Sequence, residues 1–456
     1  MTRILLVCIV LLVVTAALCS ARMDVPPGES SASGDGVGHQ CLPGTSVLPE
    51  KMLLAQANDG GNGEEPMTAS TVAGEDLPEL PLIDTDRLGE VRGRVAAGDP
   101  ALQSAVDALL RRAEAALDVG PFTVTDKKML PPSGDPHDYM SVGPYWWPNP
   151  DTDDGLPYIR RDGETNPERR EYDNVAMSAM SGAVRDLGRA YFFSGEERFA
   201  EHAATLLRVW FLDEATRMNP HLKFGQAIPG RVDGRGIGII DTAGLSHMLI
   251  SVEMLRLSEA WTEEDHQGLQ AWFSEYLNWM LTHKYGRDER AARNNHGTWY
   301  DVQAASYALF SGDRDIAREI LEAVPEARII TQIEPDGRQP LELRRTKPYG
   351  YCIYNLNAFF ELGRLGERLE IDLWNFEDED GRSIRNALDW LIEHAVGDGE
   401  WEYEGLDEIN PARLFPLLRT AAIAYDEPAY EELLQELSDG GWVGSAHNLR
   451  YPPREP

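Results

Sequence analysis

The sequence predicts an all-α fold, an (α/α) toroid that forms an incomplete barrel of about six or seven helical hairpins. Many segments repeat apolar residues at i, i+3 and i+4, which places these residues on one face of a helix. Short turns such as FFSGEER and LFSGDRD join the segments in pairs, and alternating apolar runs typical of strands are almost absent. Because no tight repeat recurs along the chain, a toroid is favoured over a regular solenoid.

The predicted helices are spread over the chain from about residue 100 onwards. They cover residues 102–117, 174–193, 198–212, 243–260, 263–282, 303–309, 317–323, 354–365, 384–395, 412–424 and 430–437. Between them lie four long irregular stretches, at 119–168, 213–238, 284–298 and 327–350. Long loops in a compact domain are usually functional, so we expect these four to meet at one end of the toroid and build a cleft.

The N-terminal residues are predicted to lie outside the folded part. Arg3 and the apolar run 4–17 are typical of a signal peptide, which we place at residues 1–21, and the run is shorter than the roughly 20 residues that span a bilayer. Residues 22–78 are rich in Gly, Ser, Pro and Glu and indicate a flexible acidic linker. The folded domain is therefore expected at 79–456.

Export to the periplasm or the medium follows from that signal. A lipoprotein anchor through Cys19 is the less favoured alternative, and we expect no stable insertion in a membrane because no later segment is long and apolar enough. Cys41 lies in the linker, so no disulfide with Cys352 is expected. No zinc-type spacing is present, and we predict no cofactor and no metal. The oligomeric state stays open.

The charge balance narrows the class of partner. The chain has 76 Asp and Glu against 42 Lys and Arg, a net charge of −34, which argues against nucleic acid as a partner and suggests a halophilic source. A polyanionic substrate would then need a local basic site. The long loops hold or adjoin such residues: Lys127, Lys128, Arg160, Arg161, Arg231, Arg235, Arg293, Arg344, Arg345 and Lys347.

The first two loops carry candidate substrate-binding residues. In LPPSGDPHDYMSVGPYWWPNP (130–150), aromatic rings form a platform for sugar rings or, equally, pack the loop on the helices. In MNPHLKFGQAIPGRVDGRGIGIIDT (218–242), Arg and Gln side chains suit carboxylates and hydroxyls. GRGIG is not a nucleotide loop, because no strand precedes it. The candidates are Lys127, His137, Tyr139, Tyr145, Trp146, Trp147, Gln226, Arg231 and Arg235.

The last two loops carry candidate catalytic residues. RNNHGTWYDVQ (293–303) places amides beside His296; a lone histidine is more often structural, but neighbouring amides favour a site. DGRQPLELRRTKPYGYCIYNL (336–356) combines two arginines with tyrosines, and an arginine beside a tyrosine favours the phenolate. A tyrosine packed on an arginine stem fits the second pattern equally well. Asn294, Tyr300, Arg344 and Tyr349 join the substrate-binding candidates.

Four of these segments, taken in order, resemble the alginate lyase family of α/α-toroid polysaccharide lyases. They are DYMSVGPYWWPNP, AIPGRVDGRGIGIIDT, NNHGTWYDVQ and QPLELRRTKPYGY, and the resemblance covers roughly residues 85–425. It implies that Asn295, His296, Arg345 and Tyr351 form the catalytic group. Tyr351 lies six residues after Arg345 and seven after Arg344. A spacing of seven is that of some bacterial alginate lyases, whereas six fits another branch, which resembles this chain better and includes lyases for alginate and glucuronan.

The resemblance implies β-elimination on a uronate-containing polysaccharide, either alginate, with polymannuronate preferred, or glucuronan. The reaction needs a group that offsets the uronate carboxylate, a base for H5 and an acid for O4. Asn295 and Arg345 suit the first task, Tyr351 or His296 the second, and Tyr351 the third. Two alternatives stay open: a glycoside hydrolase, which needs two carboxylates such as Asp138, Glu342 or Asp301, and a non-catalytic carbohydrate-binding protein.

Overall fold

A computed structural model describes residues 77, 79–397 and 399–453. The predicted signal peptide, nearly all of the predicted linker, and Cys41 lie outside the described residues. The described part of the chain forms an α/α toroid with only four short strands, as the sequence predicts.

Fifteen α-helices make up about half of the described part of the chain. They are α1 (Thr85–Ala96), α2 (Pro100–Ala116), α3 (Asp173–Ser194), α4 (Glu197–Leu207), α5 (Ala243–Leu255), α6 (Glu263–Thr282), α7 (Lys284–Arg290), α8 (Asn295–Phe310), α9 (Arg314–Glu322), α10 (Ile330–Gln332), α11 (Pro340–Leu343), α12 (Pro348–Glu367), α13 (Ile384–Val396), α14 (Phe415–Ala424) and α15 (Pro428–Leu437). Two π-helical turns extend this set, Arg208–Leu212 after α4 and Pro325–Ile329 before α10.

Four helices form an inner layer in which each contacts the next. α3 packs on α5, α5 on α8 and α8 on α12. All 16 residues of α8 are buried, so this helix has no solvent-facing side. Outer helices cover the inner ones: α4 contacts α3, α6 and α9 contact α8, and α13 contacts α12. In α9 the buried residues are only Ala317, Ile320 and Leu321, which is the one-sided pattern of an outer helix.

Local sequence signals start and end several of these helices. The Asp84 side chain accepts a hydrogen bond from the backbone N–H of Arg87 at the start of α1. Thr262 and Asp265 form a reciprocal capping box at the start of α6. Gly195 ends α3 with φ at 74°, a left-handed conformation that glycine adopts at little cost. The turn FFSGEER therefore joins α3 to α4 as a hairpin, as predicted.

Four short strands tie two of the long loops together. β1 (Met140–Val142) pairs in parallel with β4 (Phe224–Ala227), which joins the first loop to the second. β2 (Trp146–Trp147) pairs antiparallel with β3 (Ile159–Arg160) within the first loop. The stretches at 119–168 and 213–238 therefore lie side by side, as a shared cleft requires.

Several boundaries differ from the prediction. α1 was not predicted, α7 lies inside the stretch 284–298, and α12 begins at Pro348, within the predicted loop 327–350. The predicted helix 303–309 is only the second half of α8. α8 is buried on all sides and α12 nearly so, and both therefore lack the one-sided apolar pattern on which the prediction relied.

One stretch contradicts the expectation that no later segment is apolar enough to cross a membrane. Gly236–Leu255 passes that test by length and composition, but 78% of it is buried inside the protein, as a core helix is. Cys352, the cysteine expected to stay unpaired, is free and buried.

Arg328 holds the segment that precedes α8. Its guanidinium donates to both oxygens of Asp301, at 2.7 and 3.2 Å, and to the carbonyls of Arg290 and Ala292. Both side chains of this ion pair are 6% exposed. Gly297 makes the approach of Arg328 possible, because a Cβ there would lie 2.6 Å from the guanidinium.

We expect Arg328→Met to lower the free energy of unfolding by about 3–5 kcal/mol, because Asp301 would remain as an unpaired buried charge. Urea denaturation followed by circular dichroism measures this. Lys128→Met is the control: its ammonium pairs with Glu171 while 81% exposed, so its loss should cost at most about 1 kcal/mol. Equal losses in the two variants would contradict this role of Arg328.

Candidate active site

Two inner helices begin close together and bring the predicted catalytic residues with them. Asn295 and His296 are the first residues of α8, and Tyr351 lies in the first turn of α12. Arg345 follows α11, and its backbone N–H donates to the carbonyl of Glu342 at 3.0 Å. The Glu342 side chain in turn contacts Asn295. The four residues therefore belong to one connected site.

The Tyr351 hydroxyl is held between a cation and a second phenol. Arg345 Nη2 lies 3.1 Å from it, and the Arg345 guanidinium also stacks over the tyrosine ring at 4.1 Å from its centre. The Tyr145 hydroxyl is 3.2 Å away. Asp162 Oδ1 accepts from the same Arg345 nitrogen at 3.2 Å and helps to fix the guanidinium. A guanidinium at this oxygen stabilises negative charge there, which is what a tyrosine that moves a proton requires.

The two neighbouring arginines take different places. Arg345 is mostly buried and contacts Tyr351, whereas Arg344 is exposed at the end of α11. The arginine that contacts Tyr351 is therefore the one six residues before it, not the one seven residues before it.

Asn295 is held by a buried carboxylate. Its Nδ2 donates to both oxygens of Glu342, at 3.0 and 2.8 Å, and its backbone N–H donates to the same side chain at 2.7 Å. Burial raises the pKa of Glu342, while these hydrogen bonds act in the opposite direction. The amide donors of Asn295 are thus engaged within the protein, and a role as donor to a substrate carboxylate stays a prediction.

His296 has a carboxylate partner of its own. Its Nδ1 lies 2.6 Å from Glu289 Oε1, and both side chains are fully buried. Glu289 and Glu342 were not recognised from the sequence as partners of the site. In a chain with 76 acidic residues, composition gives no signal that singles them out.

The second loop contributes a residue, Gln226, whose backbone is strained. Gln226 is 2% exposed and has φ at 47°, a conformation that a residue with a Cβ adopts only when its surroundings impose it. Arg235 donates to its backbone carbonyl at 2.8 Å and to its Oε1 at 3.2 Å, and Asp241 accepts from its Nε2 at 2.9 Å. Burial lowers the pKa of Arg235 to about 10. Gln226 and Arg235 are thus rigidly placed.

Trp146 and Trp147 are half-buried and present ring surface to solvent. Arg231 lies 5.4 Å from the centre of the Trp146 ring, and Arg161 lies 5.0 Å from that of Trp147. Aromatic faces flanked by guanidinium groups suit a sugar ring that carries a carboxylate.

The glycines of the second loop serve close packing. A Cβ on Gly234 would lie 2.0 Å from the Lys223 carbonyl oxygen, and one on Gly238 would lie 2.5 Å from the backbone of Gly225. Only glycine permits such backbone contact. The motif GRGIG is therefore a packed turn.

Several predicted substrate-binding residues use their polar groups inside the fold. Lys127 forms an ion pair with Asp173 at 2.6 Å and is 4% exposed. The others bond as follows: Tyr139 to Asp241, Tyr300 to the Met280 carbonyl, Tyr349 to the Asn410 carbonyl, and His137 to the Arg217 carbonyl. Asn294 differs, since its buried Oδ1 has no hydrogen-bond partner in the part of the chain that the structure describes. Contact of any of these residues with a substrate stays a prediction.

Within residues 79–397 and 399–453, no group of three or more His, Cys, Asp or Glu side chains is arranged to hold a metal ion. The arrangement offers a phenol beside a guanidinium, a buried imidazole and two engaged arginines, which suits proton transfer next to an anion.

Comparisons with known proteins agree with this geometry. Residues 123–401 match the family model described as alginate lyase. An alginate lyase from Bacteroides ovatus is 40% identical in sequence, with a TM-score of 0.78 over 82% of this chain and 99% of that one. No protein with a curated function matches the chain.

More distant structures share the fold. Alginate lyase A1-III from Sphingomonas species A1 is 14% identical, with a TM-score of 0.54 over 86% of this chain and 100% of that one. A variant of A1-III in complex with a tetrasaccharide is 15% identical, with a TM-score of 0.52 over the same shares. The family match over more than half of the chain and the 40% identity to a solved relative show that this chain belongs to the alginate lyase family.

Proposed function

We propose that the chain is a polysaccharide lyase that cleaves its substrate by β-elimination, with Tyr351 moving the protons. The substrate is either alginate, with polymannuronate preferred, or glucuronan. The observation that carries this is the Tyr351 hydroxyl held 3.1 Å from Arg345 Nη2 and 3.2 Å from the Tyr145 hydroxyl. The half-buried tryptophans and the arginines beside them would hold the acidic chain. Its relative from Bacteroides ovatus is named an alginate lyase, which supports the substrate class.

The chemical step needs one tyrosine for two proton movements. Tyr351, as phenolate, takes H5 from the uronate; the electron pair forms the C4–C5 double bond, and O4 departs with the proton that the phenol now carries. Arg345 offsets the charge that develops on the carboxylate. In mannuronate and glucuronate H5 and O4 share a face of the ring, so one group serves both steps. In guluronate they lie on opposite faces, and a second group such as His296 is needed.

A hydrolase mechanism finds less support at this site. It needs two carboxylates free to face the glycosidic bond. Asp301 is tied to Arg328, Glu342 to Asn295, and Asp138 accepts hydrogen bonds from Ser133 and Asn219. The three carboxylates that the sequence offered for hydrolysis thus already serve the fold.

The substrate class is tested with polymannuronate, polyguluronate, glucuronan and hyaluronan, each followed by the ultraviolet absorbance of the new C4–C5 double bond. We expect product from polymannuronate or glucuronan, and a slower rate on polyguluronate, because its H5 and O4 lie on opposite faces. New reducing ends without this absorbance would indicate hydrolysis. The absence of any cleavage would favour a binding protein.

We expect Tyr351→Phe to lower kcat by at least about 10²-fold, because it removes the proton-carrying oxygen and keeps the ring. Initial rates of product absorbance measure this. Tyr307→Phe is the matched control: its buried hydroxyl donates to the Thr242 carbonyl at 3.0 Å, so the variant should keep its rate.

Variants of Arg345 and of its neighbour Arg344 test the proposed roles of Tyr351 and Arg345. Arg345→Ala should slow turnover by about 10²–10³-fold, as expected for a donor that stabilises developing charge. Arg344→Ala should change kcat at most about threefold, because exposed Arg344 does not reach Tyr351. A well-folded Tyr351→Phe enzyme with a near wild-type rate, or a larger loss for Arg344→Ala, would remove Tyr351 or Arg345 from the mechanism.

Export to the periplasm or the medium and a halophilic source are part of the proposal. Arg3 and the apolar run 4–17 support the first, and the net charge of −34 with only six Lys supports the second. A polyanionic substrate would be repelled at long range in low salt, and the repulsion would be screened in high salt.

We therefore expect both the Tm and kcat/KM on a polyuronate to rise between about 0.1 M and about 1 M salt, over which the Debye length falls from about 10 Å to about 3 Å. Thermal melts and initial rates in a sodium chloride series measure the two effects. Equal stability and activity at both ends of the series would count against a halophilic source.

A further inference from the structure

The contact between Glu289 and His296 is buried and short. Glu289 lies on α7 seven residues before His296, and its Oε1 is 2.6 Å from Nδ1 of the imidazole. Both side chains are 0% exposed, so water does not compete for this contact. A carboxylate accepts hydrogen bonds, and Nδ1 is therefore the donor.

The other imidazole nitrogen is unengaged. His296 Nε2 is buried and has no hydrogen-bond partner among the described residues. Proteins rarely leave such an atom unsatisfied unless a substrate or solvent completes it. With the proton on Nδ1, the neutral ring presents Nε2 as an acceptor.

Specific contacts hold α7, and with it Glu289, in place. Gly236, at the start of the 3-10 segment Gly236–Thr242, packs on α7 so closely that a Cβ would lie 2.7 Å from the Tyr285 carbonyl oxygen and 3.3 Å from the Glu289 nitrogen. Arg328 holds the carbonyl of Arg290, the last residue of α7, at 2.7 Å. Buried contacts thus fix α7, which carries Glu289, near its start and at its end.

We propose that Glu289 is a positioning residue for the elimination. It keeps the proton of His296 on Nδ1, so that Nε2 can accept a proton from the bound uronate or a hydrogen bond from one of its hydroxyls. This inference rests on the proposed lyase function. Glu289 does not touch the substrate; it acts through His296, as an acidic residue does when it orients a catalytic histidine.

Nitrogen-15 NMR of protein labelled at histidine tests the tautomer without substrate. The His296→Ala spectrum identifies the signals of His296. We expect a protonated Nδ1 and an unprotonated Nε2 in the wild type, loss of this pattern in Glu289→Leu, and its recovery in Glu289→Gln, which keeps an acceptor. Glu253→Leu is the control: it removes another buried carboxylate, which lies on α5 and pairs with Arg256, and it should leave the pattern unchanged.

Kinetics test whether the contact serves the reaction. Glu289→Leu and His296→Ala should each lower kcat on polyguluronate by about 10²-fold or more, because the elimination there needs His296 as the base. The loss on polymannuronate should be smaller, because Tyr351 serves both proton steps, and KM should change less than about threefold on either polymer. The double variant should be no slower than either single one, because both remove the same function. Glu253→Leu should keep its rate, and Glu289→Gln should stay within about tenfold of the wild type.

The outcomes separate the two claims. A proton on Nε2 in the wild type, an unchanged tautomer in Glu289→Leu, unimpaired turnover of polyguluronate by His296→Ala, or additive losses in the double variant would each overturn the role of Glu289. If no polymer yields an unsaturated product while the tautomer is as expected, the lyase function fails instead.

Discussion

The structure depends on the buried N-terminus of α8. The first N–H groups of a helix have no partner within the helix and usually bond to water or to a capping side chain. α8 is buried along its whole length, and its N-cap residue Asn294 makes no side-chain cap. The Glu342 side chain supplies the acceptor instead, and the backbone N–H of Asn295 donates to it. A carboxylate at the positive end of a helix is favourable, so the need to satisfy this terminus places an acidic group at the centre of the site.

The buried arginines of the site are paired as well. The site of an acidic chain must attract an acidic polymer, yet each of its buried cations has a carboxylate or an amide beside it: Arg345 has Asp162, and Arg235 has Gln226. Such partners fix the guanidinium groups in place and reduce the cost of removing them from water. Arg231 and Arg161, in contrast, lie exposed beside tryptophan rings. In the proposed mechanism, attraction of the polymer and chemistry at the bond thus fall to different arginines.

The sequence predicts the parts of the fold that face solvent on one side and the motifs that carry the site. Outer helices such as α6 and α13 have the expected bounds, because one polar face leaves a clear period. The prediction places the first turns of α8 and α12 in loops, because burial on nearly every side erases that period. The partners Glu289 and Glu342 could not be predicted for a different reason. Their role comes from contacts with α8 that exist only once the inner helices are packed.

Glu342 also explains why Arg345, and not its neighbour, reaches the tyrosine. Its side chain holds Asn295 at the start of α8, and its backbone carbonyl accepts from the N–H of Arg345 at 3.0 Å. Arg344 ends α11 as its C-cap and stays exposed, so the turn after the helix directs the next side chain inward. Tyr351 then lies within reach because α12 begins at once, at Pro348, a residue suited to the first turn of a helix. One buried glutamate therefore sets the positions of the amide and the guanidinium together, and a change at Glu342 would disturb both.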